Sequence, residues 1–356
     1  MKWYNPQNAP FLISGFPFYK EDRVYRRMPL QPSHPLPDAV DGLANETTGG
    51  QIRFHGKLKK LEIEVSLAAK PRFFGENFYG HMTLAARSSF DLYVSRNGGD
   101  YIFSGVHASL KPTDRFYKKT FFDFEEAEEL DILLNFPLYD AVDKVMIGVD
   151  DEAVISETRK PFTDDKKIAF YGGSIQQGGC ASRPGMSDGN ILSRWFNREV
   201  FNFGFNGSGK AEPEVAHVIA SAGPLSALVI STEGNCPNAQ WLDEKVREFI
   251  RIYRSYYPET PIILMPFLMG GADLLDPKKH AERLRRREVQ AKIVSDLQAA
   301  GDKHIHLLLR DTLLEAEFEG HAVQQELAVD GLHLTDLGFY LSSQILYRFL
   351  KEHTDL

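Results

Sequence analysis

The 356 residues are 43% apolar and 25% charged, with a formal net charge of −8. That is the composition of a chain that folds around its own core, and the acidic balance disfavours a nucleic-acid partner. The length is comfortable for two domains, and no apolar run approaches the roughly 20 residues that a membrane-spanning helix needs. Met1-Lys2-Trp3-Tyr4-Asn5-Pro6 holds no apolar segment followed by a small-residue cleavage site, so the expected location is cytoplasmic, with no membrane partner. Two cysteines, Cys180 and Cys236, fit a reducing compartment and read as inert, partly buried thiols.

Up to about residue 160 the rhythm is that of β-structure. Leu61, Ile63, Val65 and Leu67 alternate with Glu62, Glu64 and Ser66, the period of a half-buried strand. Short apolar runs at Met82 to Ala86, Phe90 to Val94, Tyr101 to Val106, Ile132 to Phe136 and Val145 to Val149 read as further strands. Turn residues such as Asn97-Gly98-Gly99-Asp100 separate them. The pattern predicts an N-terminal β-sandwich, jelly-roll-like, over residues 1–160. The polar segment Glu157 to Lys167 is the natural linker to a second domain over 161–356.

There the rhythm changes. Strands are expected at Ile168 to Tyr171, Val200 to Phe203, Ala227 to Ser231, Pro261 to Met265 and Ile305 to Leu309. Helices are expected between them, over about Asn190 to Arg198, Glu212 to Ala222, the stretch around Val246, Phe249, Ile250 and Tyr253, and Ala281 to Ala300. A last helix starts at Thr335, a good N-cap, and runs to about Glu352. The basic residues Lys278, Lys279, Arg283, Arg285, Arg286 and Arg287 read as a solvated helix face. Short strands alternating with amphipathic helices predict a parallel sheet covered on both faces, and ligands of such sheets bind beyond the C-terminal strand ends.

Four blocks fall at those ends. They are Gly172-Gly173-Ser174, Asn202-Phe203-Gly204-Phe205-Asn206-Gly207-Ser208-Gly209, Ser231-Thr232-Glu233-Gly234-Asn235, and Asp330-Gly331-Leu332-His333. Singly, each has an ordinary explanation: a phosphate loop, a turn asparagine, or an aspartate near a helix start. The glycine spacing fits neither GxGxxG nor the P-loop.

Taken in order, Gly-x-Ser, Asn-x-Gly-x-x-Gly, a post-strand Asn and Asp-x-x-His resemble the SGNH superfamily, also called GDSL esterases. The similarity is closer to SGNH-hydrolase-type esterases with an N-terminal Gly-x-Asp-Leu-Tyr β-domain. That signature stands here as Ser89-Phe90-Asp91-Leu92-Tyr93, with Ser in the Gly position. The resemblance implies a flavodoxin-like three-layer α/β/α catalytic domain. By position it implies Ser174 as nucleophile, Asp330 and His333 as its triad partners, and an oxyanion hole from Ser174, Gly207 and Asn235. Glu233 is unexpected so close to that hole, and Asn238 is the alternative to Asn235.

The implied activity is a serine esterase acting on short-chain, acetyl-type esters of small molecules, possible sugars among them, through an acyl-enzyme and with no metal or organic cofactor. Trp3, Trp195 and Trp241 are candidates for stacking on a sugar ring. Pro266 to Gly271 is a candidate cover for the site. The alternative reading is a non-catalytic glycan- or protein-binding module on the same scaffold. A nucleotide-binding doubly wound protein is a further rival, disfavoured by the glycine spacing.

Overall fold

Eight strands of the N-terminal half join into one antiparallel sheet: β1 (Lys2–Tyr4), β2 (Leu12–Ser14), β3 (Gln51–Leu67), β4 (Asp91–Ser95), β5 (Ile102–Val106), β6 (Phe116–Asn135), β7 (Val142–Val149) and β8 (Val154–Ser156). Residues 1–68, 80–318 and 326–356 are described by the computed structural model. The long strands β3 and β6 pair along nearly their whole length, with a break in register between Leu58 and Lys60. Ahead of the break β3 also pairs with β2 and β8, while β6 continues to β4 and β5. Beyond it, β3 pairs with β7, which carries β1. A bulge bends the strands that contain it. Here one apolar cluster draws on both sides of the break: Ile52, Phe54, Ile132 and Leu134 from one, Leu61, Ile63, Val65, Val145 and Ile147 from the other. The antiparallel domain is thus one continuous sheet whose two long strands serve both layers.

Short helices α1 (Tyr19–Asp22), α2 (Asp38–Leu43) and α3 (Leu84–Ser88) decorate this half. The expected strand at Met82 to Ala86 is replaced by α3. Thr83 caps it, accepting the Ala86 N–H at 3.0 Å, and the Ala85-Ala86 pair favours helix; a five-residue window cannot separate the two periods.

The second half is a five-stranded parallel sheet of β9 (Lys167–Gly172), β10 (Glu199–Gly204), β11 (Ala227–Ser231), β12 (Ile262–Leu264) and β13 (Ile305–Leu307). Their order is β10-β9-β11-β12-β13, which is the flavodoxin-like 2-1-3-4-5 arrangement. The helices are α4 (Ser174–Gln177), α5 (Asp188–Phe196), α6 (Pro213–Ser221), α7 (Ala239–Tyr256), α8 (Gly271–Leu275), α9 (Pro277–Ala299), α10 (Arg310–Glu317) and α11 (Asp336–His353). Alternate residues of a strand point to opposite faces. Accordingly Ala169 and Tyr171 pack with α6, α7 and α9, whereas Ile168 and Phe170 pack with α5 and α11. Among the described residues, no helix is long and apolar enough to cross a membrane.

The two halves are fastened by buried polar groups. Asp91, fully buried in β4, accepts the Gly185 N–H at 2.7 Å, the Asn135 side-chain amide at 2.8 Å and the Arg183 guanidinium at 3.3 Å. Tyr93 receives a further bond from Arg183, whose guanidinium lies 3.7 Å from the Phe103 ring centroid. The Ser-Phe-Asp-Leu-Tyr signature is therefore a clasp between the sheets. Arg27, also fully buried, donates to the carbonyls of Leu43 and Glu46 in the first half and of Asn202 and Gly204 in the second.

Replacing Asp91 by Ala strands three donors in a buried site, and the expected loss is about 3–5 kcal/mol. Urea unfolding of Asp91→Ala measures it; a midpoint equal to that of the wild type would show that Asp91 is not the clasp.

Candidate active site

Ser174 opens α4 two residues after β9 ends, so strand turns into helix across Gly173. The turn is too tight for side chains. A Cβ on Gly172 would lie 2.2 Å from the Ser231 carbonyl oxygen, and one on Gly173 would lie 2.1 Å from the Asn235 amide nitrogen. After one turn Gly178, at φ +108°, ends the helix. The N-terminal half braces this helix. The Tyr139 hydroxyl donates to the Ser174 carbonyl at 3.0 Å, and the Thr48 hydroxyl donates to the Gln177 carbonyl at 2.7 Å. The Gln177 side-chain amide donates to Glu46 and, at 3.1 Å, to the Leu138 carbonyl. Burial pushes the Glu46 carboxyl up to about 8 despite the neighbouring Arg27.

Ser174 Oγ and His333 Nε2 are 2.8 Å apart, and His333 Nδ1 and Asp330 Oδ2 are 2.7 Å apart. The other Asp330 oxygen accepts the backbone N–H groups of Leu332 and His333, at 3.0 and 2.8 Å. The aspartate thus folds its own loop while it holds the ring. The loop is anchored on both sides. Val329 N–H bonds the His333 carbonyl at 2.8 Å, and the Thr335 hydroxyl caps α11 through the Gly338 N–H. Burial alone would raise the Asp330 carboxyl, but the hydrogen bonds from His333 and Leu332 and the nearby imidazole outweigh it and hold the group at about 2. Ser174 is partly exposed and the His333 side chain is 16% exposed, so the pair opens to solvent.

Asn235 lies against Gly173 and donates its side-chain amide to the Ser208 carbonyl. Asn238 does something else: its oxygen accepts the Trp241 N–H at 2.8 Å and caps α7. Glu233 turns inward, fully buried, and accepts from the Phe267 N–H at 3.1 Å, from Arg283 at 2.9 Å and from Gln290. Its charge is thereby carried away from Asn235. The Gly207–Gly209 turn is drawn up to the serine, since a Cβ on Gly209 would lie 2.1 Å from the Gly172 carbonyl oxygen. Gly207 needs its glycine for conformation, at φ +68°, and space beside it is open. Among the described residues, no backbone acceptor takes the N–H of Ser174 or of Gly207.

The basic stretch of α9 is not a solvated face. Arg283 bridges Glu233 and, at 3.2 Å, Asp273. Arg286 donates to the carbonyls of Glu233, Cys236 and Pro237, and Arg287 to the Phe267 carbonyl and Asp311. These side chains are 12–16% exposed. Spacing at i, i+3 and i+4 puts all three on one side of the helix, the available signal that they act together. Pro266 to Gly271 forms a wall of the site, because Gly270 packs on the Gly331 carbonyl closely enough to exclude a Cβ. Cys180 and Cys236 are free and buried, and burial pushes both thiols up to about 12. A cleft of about 710 Å³ lined by Leu225, Glu259, Lys303, His304, His306 and His353 lies at the opposite rim of the sheet, before the strands begin, and has no part in this arrangement.

Residues 165–351 match the GDSL-like lipase/acylhydrolase family model, and residues 1–155 match the model for the N-terminus of SGNH-hydrolase-type esterases. Among solved structures, a protein described as a GDSL-like lipase from Bacteroides ovatus is 27% identical, covers 99% of this chain and 97% of its own, and superposes with a TM-score of 0.86. The salicylyl-acyltransferase SsfX3 from a tetracycline biosynthetic pathway is 16% identical, with 99% and 97% covered and a TM-score of 0.68. The acetyl xylan esterase Est2A from Butyrivibrio proteoclasticus is 13% identical over 99% of both chains, with a TM-score of 0.55. No curated protein matches the sequence. With more than half of its length matched, the chain belongs to the GDSL-like lipase/acylhydrolase family and is an SGNH-type esterase with the N-terminal domain characteristic of that subgroup.

Proposed function

We propose that the protein hydrolyses short-chain esters, acetyl esters of carbohydrates foremost, with Ser174 as nucleophile, His333 as general base and Asp330 as its partner. The observation that carries this reading is the unbroken chain from Ser174 Oγ through His333 to Asp330, at 2.8 and 2.7 Å. His333 takes the serine proton as Oγ attacks the ester carbonyl, and Asp330 stabilises the imidazolium. The oxyanion is held by the N–H groups of Ser174 and Gly207 and by the Asn235 amide. His333 then passes the proton to the leaving alcohol, and water attacking by the same route releases the acid. An aspartate held at about 2 stays ionised throughout.

A sugar alcohol is supported by the fold shared with an acetyl xylan esterase and with a family two carbohydrate esterase from Clostridium thermocellum in complex with cellohexaose. Of the three tryptophans, Trp195 packs edge-on against Tyr340 and Tyr347, and Trp3 lies on Gly148 of β7. Trp241 is 38% exposed beside Lys210, three residues from Gly207, and is the one placed to meet a ring. The intact serine–histidine–aspartate chain weighs against a non-catalytic binding module.

Ser174→Ala should abolish hydrolysis of p-nitrophenyl acetate while melting like the wild type. Longer acyl esters should turn over more slowly than acetate; the reverse order would overturn the acetyl preference, and no turnover of any ester by folded wild type would overturn the esterase reading. Asn235→Ala should lower kcat by about 10²–10³-fold with KM little changed, and an unaltered kcat would remove Asn235 from the oxyanion hole. The depressed Asp330 carboxyl contributes stability that is complete above its ordinary value of about 3.9 and is lost as pH falls through about 2. The difference in urea midpoint between wild type and Asp330→Asn should therefore be flat above about pH 4 and shrink below it. A difference that instead grew toward acid pH would contradict the assignment.

A further inference from the structure

Two groups beside the serine have no part in the chemistry above. His81 comes from the turn ahead of α3 in the N-terminal half, and Cys180 from the loop after α4. One ring nitrogen of His81, the Cys180 sulfur and one ring nitrogen of His333 all lie within 4.8 Å of one another. The two imidazole rings are tilted by 36° with centroids 5.2 Å apart. Each residue is held by a different tether. The Thr83 hydroxyl, two positions after His81, donates to the Ser182 carbonyl at 2.6 Å. The Cys180 N–H donates to the Leu334 carbonyl at 3.0 Å, and Asp330 fixes the His333 ring. The cluster therefore spans both halves of the molecule and includes the proposed general base.

We propose that His81, Cys180 and His333 form a site for a thiophilic divalent cation, zinc foremost, and that its occupancy shuts off the esterase. Two imidazoles and a thiol are a favoured zinc donor set. Zinc–nitrogen bonds of about 2.0–2.1 Å and zinc–sulfur bonds of about 2.3 Å set tetrahedral donors about 3.4–3.7 Å apart. Closure from the present spacing takes about 1 Å, which rotation of the exposed His81 side chain supplies. On binding, the Cys180 thiol gives its proton to solvent and a sulfur–metal bond forms. Each histidine contributes a nitrogen lone pair, and water fills the fourth position. Whichever His333 nitrogen the metal takes, the relay is broken: one belongs to Ser174, the other to Asp330. The inhibition rests on His333 acting as the base, whereas the binding does not.

The two are separated by titrating Ser174→Ala protein, which keeps all three donors, with cobalt(II). A thiolate-to-cobalt charge-transfer band saturating at one equivalent is expected, absent in the Cys180→Ser background and requiring about 100-fold more metal with His81→Ala. No such band in Ser174→Ala overturns the site. In activity assays, zinc should suppress acetate hydrolysis by wild type and chelator should restore it. His81→Ala should hydrolyse at the wild-type rate and need about 100-fold more zinc for half-inhibition. A cobalt band together with an active, zinc-insensitive wild type overturns the regulation. A wild type that hydrolyses nothing overturns the esterase reading, and the cobalt titration then decides the site alone.

Discussion

Four backbone segments meet around Ser174 at separations that leave no room for a methyl group. Added Cβ atoms on Gly172, Gly173, Gly204 and Gly209 would fall 2.1–2.3 Å from the Ser231 carbonyl, the Asn235 amide, the Gln177 nitrogen and the Gly172 carbonyl respectively. Three parallel strand ends and the start of α4 are thus packed backbone to backbone. That compression brings the serine, the asparagine amide and the Gly207 turn to one point. Relaxing any one contact by an alanine would move an oxyanion donor by a substantial part of a hydrogen-bond length, the scale on which such donors lose their effect.

Charge holds what the glycines bring together. The loop carrying Asn235 has few apolar anchors, and its carbonyls at Glu233, Cys236 and Pro237 are gathered by Arg286 while Arg283 and Gln290 neutralise and satisfy Glu233. Arg310 is fully buried behind them and ties Ser342 of α11 to the Pro266 carbonyl. Buried cations are costly unless every donor finds an acceptor. Here they join the loops of β11 and β12 to α9 and α11, and so they define the site's walls.

Much of this was legible from residue order. The alternation of Ile168–Tyr171, Ala227–Ser231 and their fellows with amphipathic helices dictates a parallel sheet, and the four blocks at the strand ends then have to share one rim. Less was legible where the deciding partner is distant in sequence. Nothing near Asp91 announces that it accepts from Gly185, 94 residues on. The inward turn of Arg283 depends on Glu233, 50 residues earlier. Strand β6 extends well ahead of Ile132 because its register with β3 recruits polar residues such as Glu128 and Glu129. The brief pattern at Met82 to Ala86 yielded to an N-cap. Periodicity reports which face is buried, and not against what.

The bracing of α4 has a consequence for how such a protein can be inherited. The Ser174 carbonyl is held by Tyr139, the Gln177 carbonyl by Thr48 and the Gln177 side chain by Glu46. All three come from the N-terminal half, and their partners lie within one turn of the nucleophile. The two halves are consequently not interchangeable modules. Shuffling a foreign sheet in front of this α/β unit would preserve the catalytic residues and remove the mould that shapes them, so the halves must descend, and drift, as a single lineage.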